Sequence, residues 1–216
     1  MSSFPNSPRL LKGGIVLIDP VTSAVRRIIA LQYNPDSISR TLQVQGVGAE
    51  SGDRSEALRL KGPPVETIKV EAEMDATDQL EVADGVATSV GLHPQLAVLE
   101  LIIYPGSAQL QANNSKAQSG TLEIAAMESA LMLFIWSKQR IVPVRLTEFS
   151  ITEEAFDVAL NPIRAKVSLG MRVLSVNDIG FAHKGGSLFM SYLQNKEQLA
   201  QKVTSGAFAS LGISGI

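Results

Sequence analysis

The feature that most constrains the fold is an unbroken alternation of apolar and polar residues over positions 163–173. A period of two over such a length predicts a long β-strand with one buried face, because successive strand side chains point to opposite sides. At the usual rise per residue the strand would be roughly 35 Å long. An earlier segment, residues 68–74, alternates in the same way. The predicted core face of the two strands comprises Ile68, Val70, Ile163, Val167, Leu169 and Val173.

The opposite face of these two strands is polar and carries charges of both signs. Its candidate residues are Lys69, Glu71, Glu73, Arg164, Lys166, Ser168 and Arg172. A solvated sheet face is the simplest interpretation. The alternative is a lumen lining or an inter-subunit contact in an oligomer to which every copy contributes the same strand. If the two strands are neighbours, residues of opposite sign can form cross-strand pairs.

Shorter strands and two helices are predicted around these elements. The strand segments are residues 14–19, 25–33 and 39–45, with a hairpin formed by 130–136 and 141–150. The apolar residues of 141–150 change phase near Thr147 and Glu148, which predicts a β-bulge there. Helical spacing favours one short internal helix over 94–104 and a C-terminal helix. The polar segments 46–64 and 106–120 are interpreted as long loops.

Strands predominate and follow one another as hairpins. The sequence therefore predicts a mainly β (α+β) fold with an antiparallel β-sandwich or barrel. We expect three parts: a flexible N-terminal arm over residues 1–13, a β domain over 14–178 and a C-terminal helical extension over 179–216.

Composition and motifs argue against an enzyme. The chain has no cysteine, and its two histidines are far apart, in no metal-binding spacing. Phosphate-binding glycine motifs and the GxSxG elbow of acyl-transfer serine enzymes are absent from the sequence. The adjacent acids Glu153 and Glu154 lack a histidine or third acid that would make a general acid–base site. We predict no catalytic residue, cofactor or metal ion.

The charge pattern argues against nucleic-acid and membrane partners. Nineteen basic and 21 acidic residues give a net charge of −2, with no basic block. No apolar run approaches the 18 or so residues that a spanning helix requires, so we expect no direct membrane insertion. The first residues have no signal-peptide h-region. The expectation is cytoplasmic assembly, with release from the cell by lysis.

Several segments together resemble the tube-like family of contractile injection systems. The turn QYNPDSIS, residues 32–39, is similar to that family's FNPxxxS opening. Residues 143–174 resemble its most distinctive block, which ends in the NPIRAKV start of the long strand. Residues 91–105 are similar to its helical segment, and LMLFIWSKQRIVPV is similar to its hairpin. The resemblance covers residues 14 to 176.

The resemblance implies a fold and a role. Members have a phage-tail-tube-like β-sandwich whose long hairpins join across six subunits into a barrel around a lumen. The implied role is a tube initiator or spike adaptor, a structural ring subunit that joins the baseplate spike to the inner tube and templates tube assembly in a phage-tail-like particle. The implied partners are further copies in a hexameric ring, the spike protein, the inner tube protein and baseplate wedge components.

One departure and two alternatives accompany this interpretation. Many family members continue into a C-terminal LysM domain, whereas this chain continues into a predicted helix with a Gly/Ser-rich tail. The repeating inner tube protein is an alternative within the same class. A soluble protein- or glycan-binding module is an alternative from a different class, although aromatic residues make up only 5% of the chain.

Overall fold

Seven strands in one antiparallel sheet form the framework of the protein. The computed structural model describes residues 10–47, 59–120, 129–204, 206 and 208–215. The strands are β1 Gly14–Ile18, β2 Val25–Ala30, β3 Ile38–Gln43, β4 Val65–Asp75, β5 Leu131–Ile135, β6 Ile141–Phe156 and β7 Pro162–Val173. Their order across the sheet is β2-β1-β5-β6-β7-β4-β3. The predicted mainly β, antiparallel α+β fold is confirmed.

Helices lie between the strands and after them. The α-helices are α1 Thr77–Glu81, α2 Gly85–Val90, α3 His93–Glu100, α4 Ser107–Gln118, α5 Val176–Ile179 and α6 Lys184–Ala200, and a 3-10 turn spans Phe208–Leu211. The prediction of one internal helix is wrong, because the described residues between β4 and β5 already form four helices. Asp84 is the N-cap of helix α2, and its carboxylate accepts hydrogen bonds from Val86 N and Ala87 N. Helix α4 occupies the predicted loop 106–120 and has no buried residue among those described.

The long strand and the bulge are where the sequence predicts them. Strand β7 pairs with β6 over most of its length, and the register shifts between Leu146 and Glu148. The bulge returns the apolar residues of β6 to the core side, because Phe149 and Ile151 then lie opposite Leu169 and Val167.

The core lies on the concave, apolar side of the strongly curved sheet. Five of the six predicted core residues are buried: Ile68, Val70, Val167, Leu169 and Val173. Ile163 is only partly buried. The last residue of β4, Asp75, pairs with Arg164, so Ile163 lies beyond the end of β4.

The sheet curves far enough for its two ends to approach each other. Gln32 follows edge strand β2, yet its side-chain amide donates to Asp75 O at 2.6 Å and accepts from Asp75 N at 3.0 Å. The amide therefore makes the two hydrogen bonds that a neighbouring strand would otherwise supply at the end of β4.

The terminal segments that the structure describes are attached to the sheet. In the predicted N-terminal arm, Gly13 N donates to Asn34 Oδ1 and Asn34 Nδ2 donates to Leu11 O, while residues 1–9 lie outside the described part. Helix α6, in the predicted C-terminal extension, buries Phe189 and Tyr192 in the main core.

Candidate functional site

The register of β4 and β7 places most of the predicted polar residues side by side. Glu71 lies opposite Ser168, Glu73 opposite Lys166, and Lys69 opposite Gly170. Arg164 lies opposite Asp75 at the end of the pair. All seven candidate residues therefore share one face, here called the polar face, with Arg172 opposite Thr67 at its other end.

Strand β6 contributes a third row to the polar face that sequence reasoning did not identify. In the β6–β7 register its residues Glu148, Ser150, Thr152 and Glu154 lie opposite polar-face positions of β7. The phase change at Thr147 was the available signal, since it moves every later residue of β6 to the other side.

Ion pairs connect the rows. Lys69 Nζ lies 3.1 Å from Glu148 Oε2, Lys166 Nζ lies 3.1 Å from Glu154 Oε1, and Arg164 Nε lies 3.0 Å from Asp75 Oδ2. The first pair spans the whole width of β7, because Gly170 lies between the two residues in the register. These pairs are largely exposed, so each contributes little to stability.

Arg172, at the end of the polar face, forms its ion pair with a helical residue instead of a strand residue. Its Nη2 donates to Asp178 Oδ1 at 2.6 Å, and Asp178 in turn forms the capping box of helix α5 with Ser175. The Arg172 Nε atom is buried and has no hydrogen-bond partner among the described residues. In this structure Arg172 connects β7 to the helical segment.

The polar face is acidic overall and lies on the side of the sheet away from the core. It borders a cavity of about 1190 Å³ whose lining includes Glu71, Glu73, Ser150 and Lys166, with the Tyr33–Pro35 turn along one side. Within the described part of the chain, Glu71 and Glu73 form no ion pair, whereas Lys69, Arg164 and Lys166 are each paired with a carboxylate.

The Asp75 carboxylate at the end of this face is held in its ionised form. Partial burial would raise the pKa of Asp75, but hydrogen bonds from Thr77 and Arg164 outweigh that effect and lower its pKa. The Asp75–Arg164 pair is therefore charged at neutral pH.

The outer edge of β6 is open next to the polar face. Strand β5 pairs with β6 only from Ile141 to Val144, and no described strand pairs with that side of residues 145–156. The outer edges of β2 and β3 are open in the same sense. Unpaired edges of this length invite strand pairing with another chain.

A second polar cluster, also not foreseen from the sequence, lies between β4 and α6. The buried Glu66 accepts hydrogen bonds from Arg40 Nε at 2.7 Å, Tyr192 Oη at 3.2 Å and Lys196 Nζ at 3.3 Å. Lys196 Nζ also lies 4.0 Å from the centre of the Tyr192 ring. This cluster fastens helix α6 to the sheet.

The ionisation of Glu66 depends on its partners. Burial alone would raise the pKa of Glu66, but the Arg40 hydrogen bond and the charge of Lys196 lower it below its ordinary value. Every charged group of the cluster has a partner, which is the arrangement of a structural ion-pair network.

The described residues contain neither a metal-binding cluster nor a membrane-spanning helix. No group of three or more His, Cys, Asp or Glu side chains in that part of the chain could hold a metal ion. None of the helices described has the length and apolar character needed to cross a bilayer.

The sequence matches no protein-family model, and no curated protein is similar to it.

Proposed function

We propose that the chain is a structural ring subunit of a contractile injection system, which joins the baseplate spike to the inner tube and templates tube assembly. The proposal combines the resemblance of residues 14 to 176 with the arrangement of the sheet. The observation that carries it is the open outer edge of β6 beside the polar face.

A closed ring of copies accounts for that open edge. If β6 of one copy pairs with an edge strand of the next, the sheet becomes continuous and its long edge is protected. Edge strand β2 is the better partner by charge, because its Arg27 forms no ion pair within the described residues. The open part of β6 is acidic overall, since it carries three glutamates and one arginine. One edge of each kind per copy makes the contact heterologous. Such contacts form a ring when the rotation from one copy to the next closes after a whole number of copies.

In such a ring the polar face lines the lumen. The apolar side of the sheet is already filled by the subunit's own core, so the polar face is the one that can face water around a central axis. The role requires matched symmetry and complementary surfaces, with no chemical reaction.

The place of the chain in the particle can be tested with an epitope tag. We expect a gold-labelled antibody to mark one end of the inner tube in electron micrographs of particles that contain the tagged chain. Label along the whole tube would identify the repeating tube protein instead. Particles that never contain the chain would contradict both roles.

The proposed strand pairing can be tested by charge reversal. Arg27→Glu and Glu153→Lys should each weaken ring formation, and the double variant should recover part of it, because the two charges attract again. Both side chains are exposed, so the unfolding midpoint should stay unchanged. Equal assembly of all three variants and the unmodified chain would contradict the β2–β6 contact.

A further inference from the structure

The turn between β6 and β7 displays three apolar side chains to solvent. These belong to Phe156, Val158 and Leu160, which are 49%, 107% and 77% exposed. We call residues 156–161 the tip. Exposed apolar side chains grouped at the end of a long hairpin are typical of a contact surface.

The tip is held rigidly. The Asp157 carboxylate accepts hydrogen bonds from Ala159 N, Asn161 N and Asn161 Nδ2, each at 2.8 Å. Leu160 has a φ of 64°, in the left-handed region that a leucine seldom occupies. A preorganised turn loses little conformational entropy when it binds.

The tip is also fixed to the neighbouring helices. Asn161 Nδ2 donates to Ser89 O at 3.3 Å, and Leu92 N donates to Pro162 O at 2.9 Å, next to the first turn of α3. The direction of the tip is therefore set by the body of the subunit.

An apolar groove of about 440 Å³ adjoins the same first turn of α3. Its lining comes from β2, the end of β4 and α3, and includes Ile28, Met74, Pro94 and Val98. Ile28 is 70% exposed there.

We propose that the tip of each copy inserts into the α3 groove of the next copy in the ring. The inference rests on the proposed function, to which it adds a specific contact. The tip and the groove both adjoin the start of α3. Neighbouring copies could therefore engage around the ring without a large displacement along its axis.

The two surfaces are complementary in polarity. The only charge on the tip is Asp157, which is already satisfied within the turn, and the only charged residue lining the groove is Glu73. Val158 is fully exposed, so its side chain is free to enter an apolar groove. Insertion would thus bury apolar groups on both surfaces.

The tip–groove contact is small, so its occupant must be held in place by other contacts as well. A copy in a closed ring meets this requirement. A few side chains bury far less than the roughly 1,600 Å² of a standard stable interface. A single tip in a single groove would not hold two copies together. In a closed ring every copy contributes one tip and one groove, and the edge strands add to each contact.

Cysteine cross-linking tests the contact directly, because the natural chain contains no cysteine. Under mild oxidation, Ile28→Cys with Val158→Cys should give a ladder of disulfide-linked multimers that ends at the ring size. The control combines Val158→Cys with Val203→Cys and should remain unlinked. Val203 follows the end of α6 and is about as exposed as Ile28.

The outcomes separate the contact from the ring itself. Three results would overturn the tip–groove contact and leave the ring intact. These are rings in native mass spectra without a disulfide ladder, a control that links equally well, and a disulfide within one chain. Absence of rings would overturn both. Independently, Val158→Asp should raise the protein concentration for half-assembly at least tenfold while leaving the unfolding midpoint unchanged.

Discussion

Lys69 and Glu148 form an ion pair across an intervening strand, with 3.1 Å between Nζ and Oε2. Gly170 of β7 lies between them in the register and has no side chain to obstruct the contact. A Cβ atom at Gly170 would lie 2.8 Å from Glu148 Cβ. The pair thus depends on a glycine inside a strand, where glycine is normally unfavourable.

Gly170→Ala should therefore destabilise the protein, although alanine is usually the better strand residue. We expect a loss of about 1–3 kcal/mol in the free energy of unfolding, since the added methyl group meets a Cβ atom that cannot swing away. Urea denaturation measures this loss. Ser168→Ala, on the same strand and face, is the control and should change stability by less than about 0.5 kcal/mol. A Gly170→Ala variant more stable than the natural chain would contradict the register.

Substitutions at adjacent positions of β7 should have opposite consequences. Val167 is fully buried, so Val167→Asp places an uncompensated charge in the core and should prevent folding. Lys166→Ser removes an exposed side chain and one surface ion pair, and it should leave a folded protein. Circular dichroism and the thermal midpoint distinguish the two. The reverse result would mean that the faces of β7 are assigned the wrong way round.

Glu66 should make the free energy of unfolding depend on pH. Its pKa is lowered in the folded protein, so the unfolded chain takes up the proton first as pH falls. The stabilisation is fully present above the ordinary glutamate pKa and is lost as pH falls through the lower folded pKa. Glu66→Gln should cost about 2–3 kcal/mol at neutral pH, because Arg40 and Lys196 lose their shared partner.

The difference in unfolding free energy between the natural chain and Glu66→Gln should shrink below about pH 4.5. Other carboxylates, such as Asp75, titrate in both proteins and cancel in this comparison. Glu148→Gln, at an exposed position, is the control and should show little change. A difference independent of pH would argue against a charged Glu66 in the folded state.

Leu160→Gly should stabilise the isolated subunit and weaken its assembly. Glycine accepts the positive φ of Leu160 without steric strain, which offsets its greater freedom in the unfolded chain. We expect a thermal midpoint equal to or slightly above that of the natural chain. Loss of the exposed leucine should at the same time raise the concentration needed for ring formation. A destabilised subunit with unchanged assembly would contradict the assigned role of the tip.

The sequence predicts those parts of the fold that local periodicity encodes. Strand β7 was predictable because its alternation is unbroken, and the bulge at Thr147 because the apolar phase changes there. Helix α4 was not predictable from the sequence, because it is polar on all sides and has no apolar stripe with a helical period. Its Ala, Gln and Lys content favours helix only weakly.

The candidate sites depend on contacts that no local pattern contains. The Glu66 cluster unites β4 with Arg40 of β3 and with two residues of α6, more than a hundred positions away. The phase of β4 puts Glu66 on the core side, but its partners follow from the β3–β4 register and from how α6 packs. The polar face was largely predictable because its residues alternate, whereas the β6 row required the bulge to be placed first.

The central claim is that identical copies share one continuous sheet through the open edge of β6. Hydrogen–deuterium exchange of residues 146–156, compared between the free subunit and the assembled ring, tests it most directly. We predict rapid exchange of outward-pointing amides in the free subunit and strong protection in the ring, as strand pairing supplies their missing acceptors. A ring in which these amides exchange as fast as in the free subunit, or a chain that stays monomeric at every concentration, would contradict the account.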